Sequence, residues 1–253
     1  MTDARTWHYG IVAKWWAEFN NTGPEIDYFR RFVEEGQPAL DTACGTGRLL
    51  LPYLRAGLDV DGCDISPDML ALCRERAEQE GLAPNLYAQA LHELDLPRRF
   101  RTIVCCGTFG LGSTRAQDAQ ALVRLHDHLE PGGLLALDVE ETGSLPAVAA
   151  DPEHHDPPAE RVQASDGSEL ALRVRVVEVD RPDRRLTRAI QAWQWRDGEL
   201  LAQEEHLLTE SVYGREELTA LLQRAGFVDV EVRSGASAWG YDMIVFLARR
   251  PEV

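Results

Sequence analysis

Leu40-Asp41-Thr42-Ala43-Cys44-Gly45-Thr46-Gly47-Arg48 is the stretch of sequence that decides the fold. A short apolar run leads into it, and a helical pattern that ends at Gly57 follows it. The sequence therefore predicts a strand, a sharp turn and a helix in succession. Because Gly45 and Gly47 carry no Cβ, the backbone of this turn can approach a ligand closely. In open α/β sheets such a loop lies at the carboxyl end of a strand, where ligands bind.

Strand and helix patterns alternate on the carboxyl-terminal side of this loop. The predicted strands of this part are 38–42, 58–63, 86–90, 102–106 and 134–139. One helix is predicted to begin at Pro67 with Ser66 as its N-cap, and another spans 116–129. Repeated units of this length predict a parallel sheet with right-handed crossovers.

The pattern changes after Glu141. Residues 145–158 have the composition of a loop, whereas 170–179, 187–195 and 200–208 alternate with period two and predict antiparallel strands. A helix at 216–225 and strands at 228–233 and 241–248 close the chain. The expected fold is α/β: a Rossmann-like, mostly parallel seven-stranded sheet with helices on both faces, plus an inserted antiparallel β cap. The expected divisions are an N-terminal helical cap (1–35), a core (36–140), the insertion (141–214) and a C-terminal part that completes the core (215–253).

Composition and charge narrow the possible partners. The net charge of −16 argues against nucleic acid, because nucleic-acid binders need clustered Lys and Arg. No apolar run approaches the length of a membrane span, and the N-terminus does not resemble a signal peptide, so a cytoplasmic protein is expected. The five cysteines form no C-x-x-C pair, and the adjacent His154 and His155 lack a convergent third ligand. No metal site is expected.

A carboxylate at the tip of the second strand adds to the glycine turn. Asp64 ends that strand 17 residues beyond Gly47, where it could accept hydrogen bonds from both hydroxyls of an adenosine ribose. The turn has Leu50 where a dinucleotide-binding fingerprint needs a third small residue. This spacing favours an adenosine ligand other than NAD.

These residues resemble the class I S-adenosylmethionine-dependent methyltransferase family. The first motif of the family resembles 41–47, its second resembles 61–66 followed by Met69 and Leu70, and its Pro-Gly-Gly motif resembles 129–135. The Ala-Gly-Phe at 225–227 also fits the family. The resemblance implies S-adenosylmethionine as cofactor and N- or O-methylation of a small-molecule acceptor. The cofactor-binding residues that it implies are Asp41, Ala43, Gly45, Gly47, Asp64, Ile65, Met69, Ala90, Leu91 and Cys106.

Three positions depart from the family pattern. Ala43 replaces the usual first glycine, Ala90 follows the third strand where an acid often contacts adenine, and Arg101 occupies a position that is often acidic. Ala90 and Arg101 keep a non-catalytic S-adenosylmethionine-binding protein open as an alternative; an NAD-dependent oxidoreductase is the other alternative.

The acceptor side offers fewer signals. Tyr9, in an aromatic N-terminal segment, and Glu140 and Glu141, after the fifth strand, are the candidate catalytic residues. Structural roles are equally compatible with all three. The architecture is similar to that of sugar-amine N-methyltransferases and other enzymes of secondary metabolism. The sequence leaves the acceptor, the methylated atom and association into a homodimer open.

Overall fold

The structure, a computed structural model, describes residues 8–140, 158–235 and 243–252. The strands are β1 (Ala39–Thr42), β2 (Val60–Asp64), β3 (Leu86–Ala88), β4 (Phe100–Cys105), β5 (Leu129–Glu140), β6 (Glu160–Gln163), β7 (Glu169–Asp180), β8 (Arg185–Arg196), β9 (Glu199–Ser211), β10 (Val228–Ser234) and β11 (Met243–Arg249). The helices are α1 (Gly10–Phe19), α2 (Glu25–Glu35), α3 (Leu50–Arg55), α4 (Pro67–Gln79), α5 (Arg115–His128) and α6 (Arg215–Arg224), with one 3₁₀ turn at Leu91–Glu93.

Seven strands form the main sheet in the order β10-β11-β5-β4-β1-β2-β3. The strands from β5 to β3 are parallel, and β11 runs antiparallel to both β5 and β10. Every residue of β1 and β2 is buried, which explains why these strands read as continuous buried runs. The expected α/β class and the mostly parallel seven-stranded sheet are confirmed.

Helices cover both faces of this sheet. On one face α2, α3 and α4 bury a cluster that includes Phe29, Leu50 and Tyr53. On the other face α5 and α6 bury a second cluster around Leu122 and Leu222. Burying each such side chain contributes about 1.5–3 kcal/mol, so the two clusters hold the parallel strands and their carboxyl ends in place.

A second sheet, β6-β7-β8-β9, is entirely antiparallel and forms the expected cap. Helix α1 packs on it, with Ile11, Val12 and Trp15 buried against Ile190 and Leu208. The helix also touches the core, because Asp68 at the start of α4 accepts a hydrogen bond from Gly10 N–H at 2.8 Å. Helix α1 therefore connects the cap to the core.

The sequence-based prediction missed β6, which pairs with β7 from Glu160 to Gln163. A segment of four residues with one aliphatic side chain, Val162, is too short to show a period-two pattern. Its pairing with β7 makes it a strand. Residues 145–157 of the loop that was predicted at 145–158 lie outside the described residues. Strand β5 also begins at Leu129 and not at 134, because Leu129 already pairs with Phe100 before the register shifts. The division of the chain into domains stays a prediction.

The loop after β4 joins the core to the cap. Gly112 N–H donates to the carbonyl of Thr209 at 2.8 Å, and Ser211 N–H donates to the carbonyl of Gly110 at 2.9 Å. At Gly110, where φ is +90°, a Cβ would lie 2.5 Å from the carbonyl oxygen of Ser211, so this close approach requires glycine. Among the described helices, none is both long enough and apolar enough to cross a bilayer.

Candidate functional site

A cavity of about 610 Å³ opens at the carboxyl edge of the parallel sheet, beneath α1 and the cap. This volume lies in the range of small-molecule and cofactor sites. The residues at or just after the strand tips that line it include Asp41, Gly45, Asp64, Cys106, Asp138 and Glu140. Residues that are distant in the chain meet here because parallel strands end at one edge.

Asp64 organises one end of the cavity. Its Oδ2 accepts a hydrogen bond from Gly45 N–H at 2.9 Å, and its Oδ1 accepts one from Ser66 N–H at 2.7 Å. Ser66 in turn caps α4 by accepting from Met69 N–H at 3.2 Å. Burial raises the pKa of the Asp64 carboxyl, and hydrogen bonds from the backbone N–H groups of Ser66, Gly45 and Ile65 oppose that rise. The carboxylate thus ties the glycine loop to the start of α4.

The two glycines of the loop have different surroundings. At Gly45 a Cβ would meet nothing within 4 Å, so the backbone there faces open space in the cavity. At Gly47, where φ is +90°, a Cβ would lie 2.7 Å from Cγ of Leu51 and 2.9 Å from Sγ of Cys73. Gly47 is not among the residues that line the cavity. The structure therefore explains the glycine at position 47 by the close packing of Leu51 and Cys73. The sequence predicted that both glycines lie beneath the ligand.

Asp41, at the tip of the neighbouring strand β1, carries a buried Oδ2 for which the described residues offer no hydrogen-bond partner. Burial raises the pKa of this carboxyl to about 7; the charge of Asp64 adds to the rise, and Arg48 opposes it. An unpartnered buried carboxylate oxygen is costly, and a positively charged ligand group in the cavity would remove that cost.

A network of polar side chains extends from α2 to β5. Arg48 pairs with Glu25 at 3.1 Å and points Nη2 at Sγ of Cys106 at 3.5 Å. The Cys106 thiol donates to Oδ2 of Asp138 at 3.5 Å, and Gly107 N–H donates to Oδ1 of Asp138. Burial raises the pKa of the Asp138 carboxyl to about 6. Arg48, Glu25 and Asp138 were missed from sequence; only the carboxylate inside an otherwise apolar strand, 134–139, could have signalled Asp138.

The cap supplies the opposite wall of the cavity. Its lining includes the aliphatic side chains of Leu172, Ile190 and Leu208. One ion pair interrupts this surface: Arg188 Nε donates to Oε2 of Glu210 at 2.8 Å. Burial raises the pKa of Glu140, at the end of β5, and the charge of Glu210 raises it further while Arg188 lowers it. The charges of Arg188 and Glu210 therefore act on the Glu140 carboxyl across the cavity. Neither Arg188 nor Glu210 was predicted from the sequence.

The remaining candidates fall into three groups. Ala43, Ile65, Met69, Ala90 and Leu91 line the cavity, on the side of the glycine loop and of β2 and β3. Tyr9 precedes α1 and is not among the lining residues, and Glu141 lies outside the described residues. Within the described parts of the chain, no three His, Cys, Asp or Glu side chains are grouped as a metal site.

Comparisons with known proteins agree with this geometry. Residues 39–133 match the methyltransferase domain family. A candidate methyltransferase of Geobacillus sp. (strain WCH70) is 26% identical over 153 residues, which cover 56% of this chain and 62% of that protein. The dTDP-3-amino-3,6-dideoxy-alpha-D-glucopyranose N,N-dimethyltransferase of Streptomyces fradiae is 30% identical over 110 residues, which cover 43% of this chain and 42% of the relative. The chain spans less than two thirds of the length of these curated relatives.

The fold is shared over nearly the whole chain with solved methyltransferases. The CcbJ methyltransferase of Streptomyces caelestis superposes with a TM-score of 0.70 at 19% identity, over 98% of this chain and 99% of that one. Residues 39–133 thus carry a methyltransferase domain, and the chain has the fold of solved S-adenosylmethionine-dependent methyltransferases. Its methyltransferase domain includes the glycine loop, Asp64 and the strands that place them.

Proposed function

We propose that this protein transfers a methyl group from S-adenosylmethionine to the nitrogen of a small-molecule amine held beneath the cap. The observation that carries the proposal is one continuous cavity: the loop anchored by Asp64 and the unpartnered oxygen of Asp41 lie at one end, and the aliphatic wall of the cap lies at the other. Such a cavity can hold a donor and an acceptor side by side.

The residues at the donor end fit the cofactor. The Asp64 carboxylate is held by backbone N–H groups, among them Gly45 N–H at Oδ2 and Ser66 N–H at Oδ1, and its two oxygens can accept further hydrogen bonds, which suits the two ribose hydroxyls. The open space at Gly45 leaves room for the methionine portion, and the unpartnered Asp41 oxygen suits its ammonium group. Ile65 and Met69 border the position of adenine. When bound, the cofactor supplies a methyl group on a positively charged sulfur.

The charge of the cavity favours an amine over an anionic acceptor. Its lining carries eight carboxylate side chains and two arginines. This surplus of negative charge attracts a cationic donor and a cationic acceptor, and it disfavours a phosphorylated partner. The relative from Streptomyces fradiae carries an N,N-dimethyltransferase name, which supports the same choice of atom.

The contribution of the protein to such a transfer is position and exclusion of water. The Asp64 anchor holds the donor loop, while α1 and the cap cover the cavity that leads to Asp138 and Glu140. Holding the two reactants in line replaces an encounter in solution with a reaction inside one complex.

Two measurements test the proposal. Calorimetry is expected to show binding of S-adenosylhomocysteine and none of NAD, and mass spectrometry is expected to show methyl transfer to members of an amine panel but not to the matching alcohols. Binding of NAD alone would favour the oxidoreductase alternative. Binding of S-adenosylhomocysteine without transfer to any amine or alcohol would favour the non-catalytic alternative.

A homodimer stays a prediction, and the edge strand β9 supports it. Leu200 and Leu201 are each 52% exposed and Leu207 is 70% exposed, which is unusual for large aliphatic side chains on an edge strand. Sedimentation of the wild type and of Leu207→Glu tests it. Dimers that dissociate in the variant are expected, and a monomeric wild type would contradict the prediction.

A further inference from the structure

The carboxyl edge of the sheet carries an ordered row of side chains. In the order of the strands, Asp64 ends β2, Asp41 lies in β1, Cys106 comes directly after β4 and Asp138 lies in β5. Neighbouring strands are about 4.8 Å apart, so β5 lies about 10 Å from β1 and about 14 Å from β2. With the donor placed over β2 and β1, Asp138 lies on the side of the row that faces the acceptor.

Asp138 is held rigidly but keeps free acceptor capacity. The residue is 2% exposed, and its carboxylate receives one donor at each oxygen, Gly107 N–H and the Cys106 thiol. Each oxygen can accept one more hydrogen bond. At Gly107, whose N–H Asp138 holds, a Cβ would meet nothing within 4 Å, and both residues line the cavity, so open space lies beside this residue pair. A group that enters that space finds a positioned anion.

We propose that Asp138 binds the ammonium form of the acceptor amine and takes its proton before methyl transfer, an inference that rests on the proposed function. In this step one N–H bond of the ammonium breaks and an O–H bond forms on Asp138. The freed electron pair of the nitrogen then forms the N–CH₃ bond as the S–CH₃ bond breaks, and the electrons of that bond stay on sulfur.

The surroundings of Asp138 suit this exchange. Arg48 beside α3 lowers the pKa of the Asp138 carboxyl, Glu25 of α2 raises it, the Cys106 thiol after β4 lowers it by hydrogen bonding, and burial raises it most, to about 6. Burial acts in the opposite direction on an ammonium group and lowers its pKa. The cavity therefore brings the two pKa values together while leaving Asp138 ionised near neutral pH.

Asp138→Asn in the full chain tests the proposal, because asparagine keeps the shape and can still accept from Gly107. On protein saturated with S-adenosylhomocysteine at pH 8, benzylamine is expected to bind wild type at least about 10-fold more tightly than the neutral benzyl alcohol. The variant is expected to lose this preference and to keep its affinity for S-adenosylhomocysteine within about twofold. Asp95→Asn is the matched control, since it makes the same chemical change at an exposed residue outside the cavity lining and is expected to keep the preference.

Activity supplies an independent readout with any amine that the panel finds to be methylated. Asp138→Asn is expected to lower kcat by about 10²–10⁴-fold and to remove an inflection near pH 6 from the pH profile of kcat. Retention of the amine preference in the variant overturns the proposal, as does a wild type that prefers no amine. Loss of affinity for S-adenosylhomocysteine in the variant also overturns it, because Asp138 would then serve the donor. Failure of the proposed function is distinct: the wild type would bind S-adenosylhomocysteine and prefer amines, yet methylate none.

Discussion

The two ends of the cavity are built in different ways. At the donor end, Asp64 holds Gly45 and Ser66 through backbone hydrogen bonds, and all three lie within 22 positions of one another along the chain. At the acceptor end, Glu140, Arg188 and Glu210 come from three strands in two sheets, and side chains make the contacts. The difference teaches that backbone geometry shapes the end that we propose for the cofactor, while a separate sheet shapes the end that we propose for the acceptor.

Asp64→Ala is expected to have the largest effect on the donor end. It removes a charged hydrogen-bonding partner of the ribose and of the glycine loop, so binding of S-adenosylhomocysteine is expected to weaken by about 2–3 kcal/mol in calorimetry. Asp95→Ala, an exposed acid, is the control and is expected to bind normally. Unchanged affinity in Asp64→Ala would contradict the assignment of this end to the donor.

Asp41→Asn is expected to change how the stability of the ligand-free protein depends on pH. The pKa of Asp41 is about 7 in the folded state and about 4 when unfolded, so its stabilising contribution is complete below pH 4 and is lost as pH rises through 7. Without ligand, the variant is expected to be more stable than wild type at pH 8 by about 2 kcal/mol and to lose less stability between pH 5 and pH 8. Urea unfolding at both values measures this, with Asp95→Asn as the control. Equal pH dependence in the wild type and Asp41→Asn would show that the carboxyl titrates normally.

Glu204→Ala tests the attachment of α1 to the cap. The Glu204 carboxylate accepts from Ile11 N–H at 3.0 Å and 3.2 Å, at the positive end of the α1 dipole. Its loss is expected to cost about 1 kcal/mol and to speed hydrogen exchange in the first turn of α1. Glu205→Ala, the exposed neighbour, should change neither quantity. Equal exchange in both variants would mean that α1 is held to the cap by apolar packing alone.

Ala43→Gly is expected to have the smallest effect. Ala43 has a φ of +50°, a left-handed conformation that costs a residue with a Cβ about 1–2 kcal/mol. Glycine removes this strain, but its greater freedom in the unfolded chain lowers stability by about 0.4–1 kcal/mol. The free energy of unfolding, measured in urea, is therefore expected to rise by about 0.5 kcal/mol. Ala71→Gly, on the exposed face of α4, should instead cost about 1 kcal/mol. A loss of stability in Ala43→Gly would show that the alanine methyl packs productively.

Local patterns predicted most of the fold. The parallel sheet, the Ser66 cap with Pro67 as the first helical residue, and the strand-turn-helix at Gly45 all follow from short-range periodicity and turn chemistry. Strand β6 was missed because four residues carry too little pattern to distinguish a strand from a loop. The packing of Gly47 could not be predicted either, since it depends on Leu51 and on Cys73 of another helix; its role beneath the ligand stays a prediction.

The sequence of residues 36–66 was enough to predict a glycine loop beside a carboxylate at a strand tip. The periodicity of apolar residues and the backbone freedom of glycine are set by a few neighbouring residues, so they can be recognised without the tertiary structure. Only the tertiary structure decided which carboxylates meet at the end of the cavity that we propose for the acceptor. Asp138, Arg188 and Glu210 face one cavity because the order of strands and the pairing of the cap bring distant segments together. Burial in that cavity, and not any local motif, raises the pKa of Asp138.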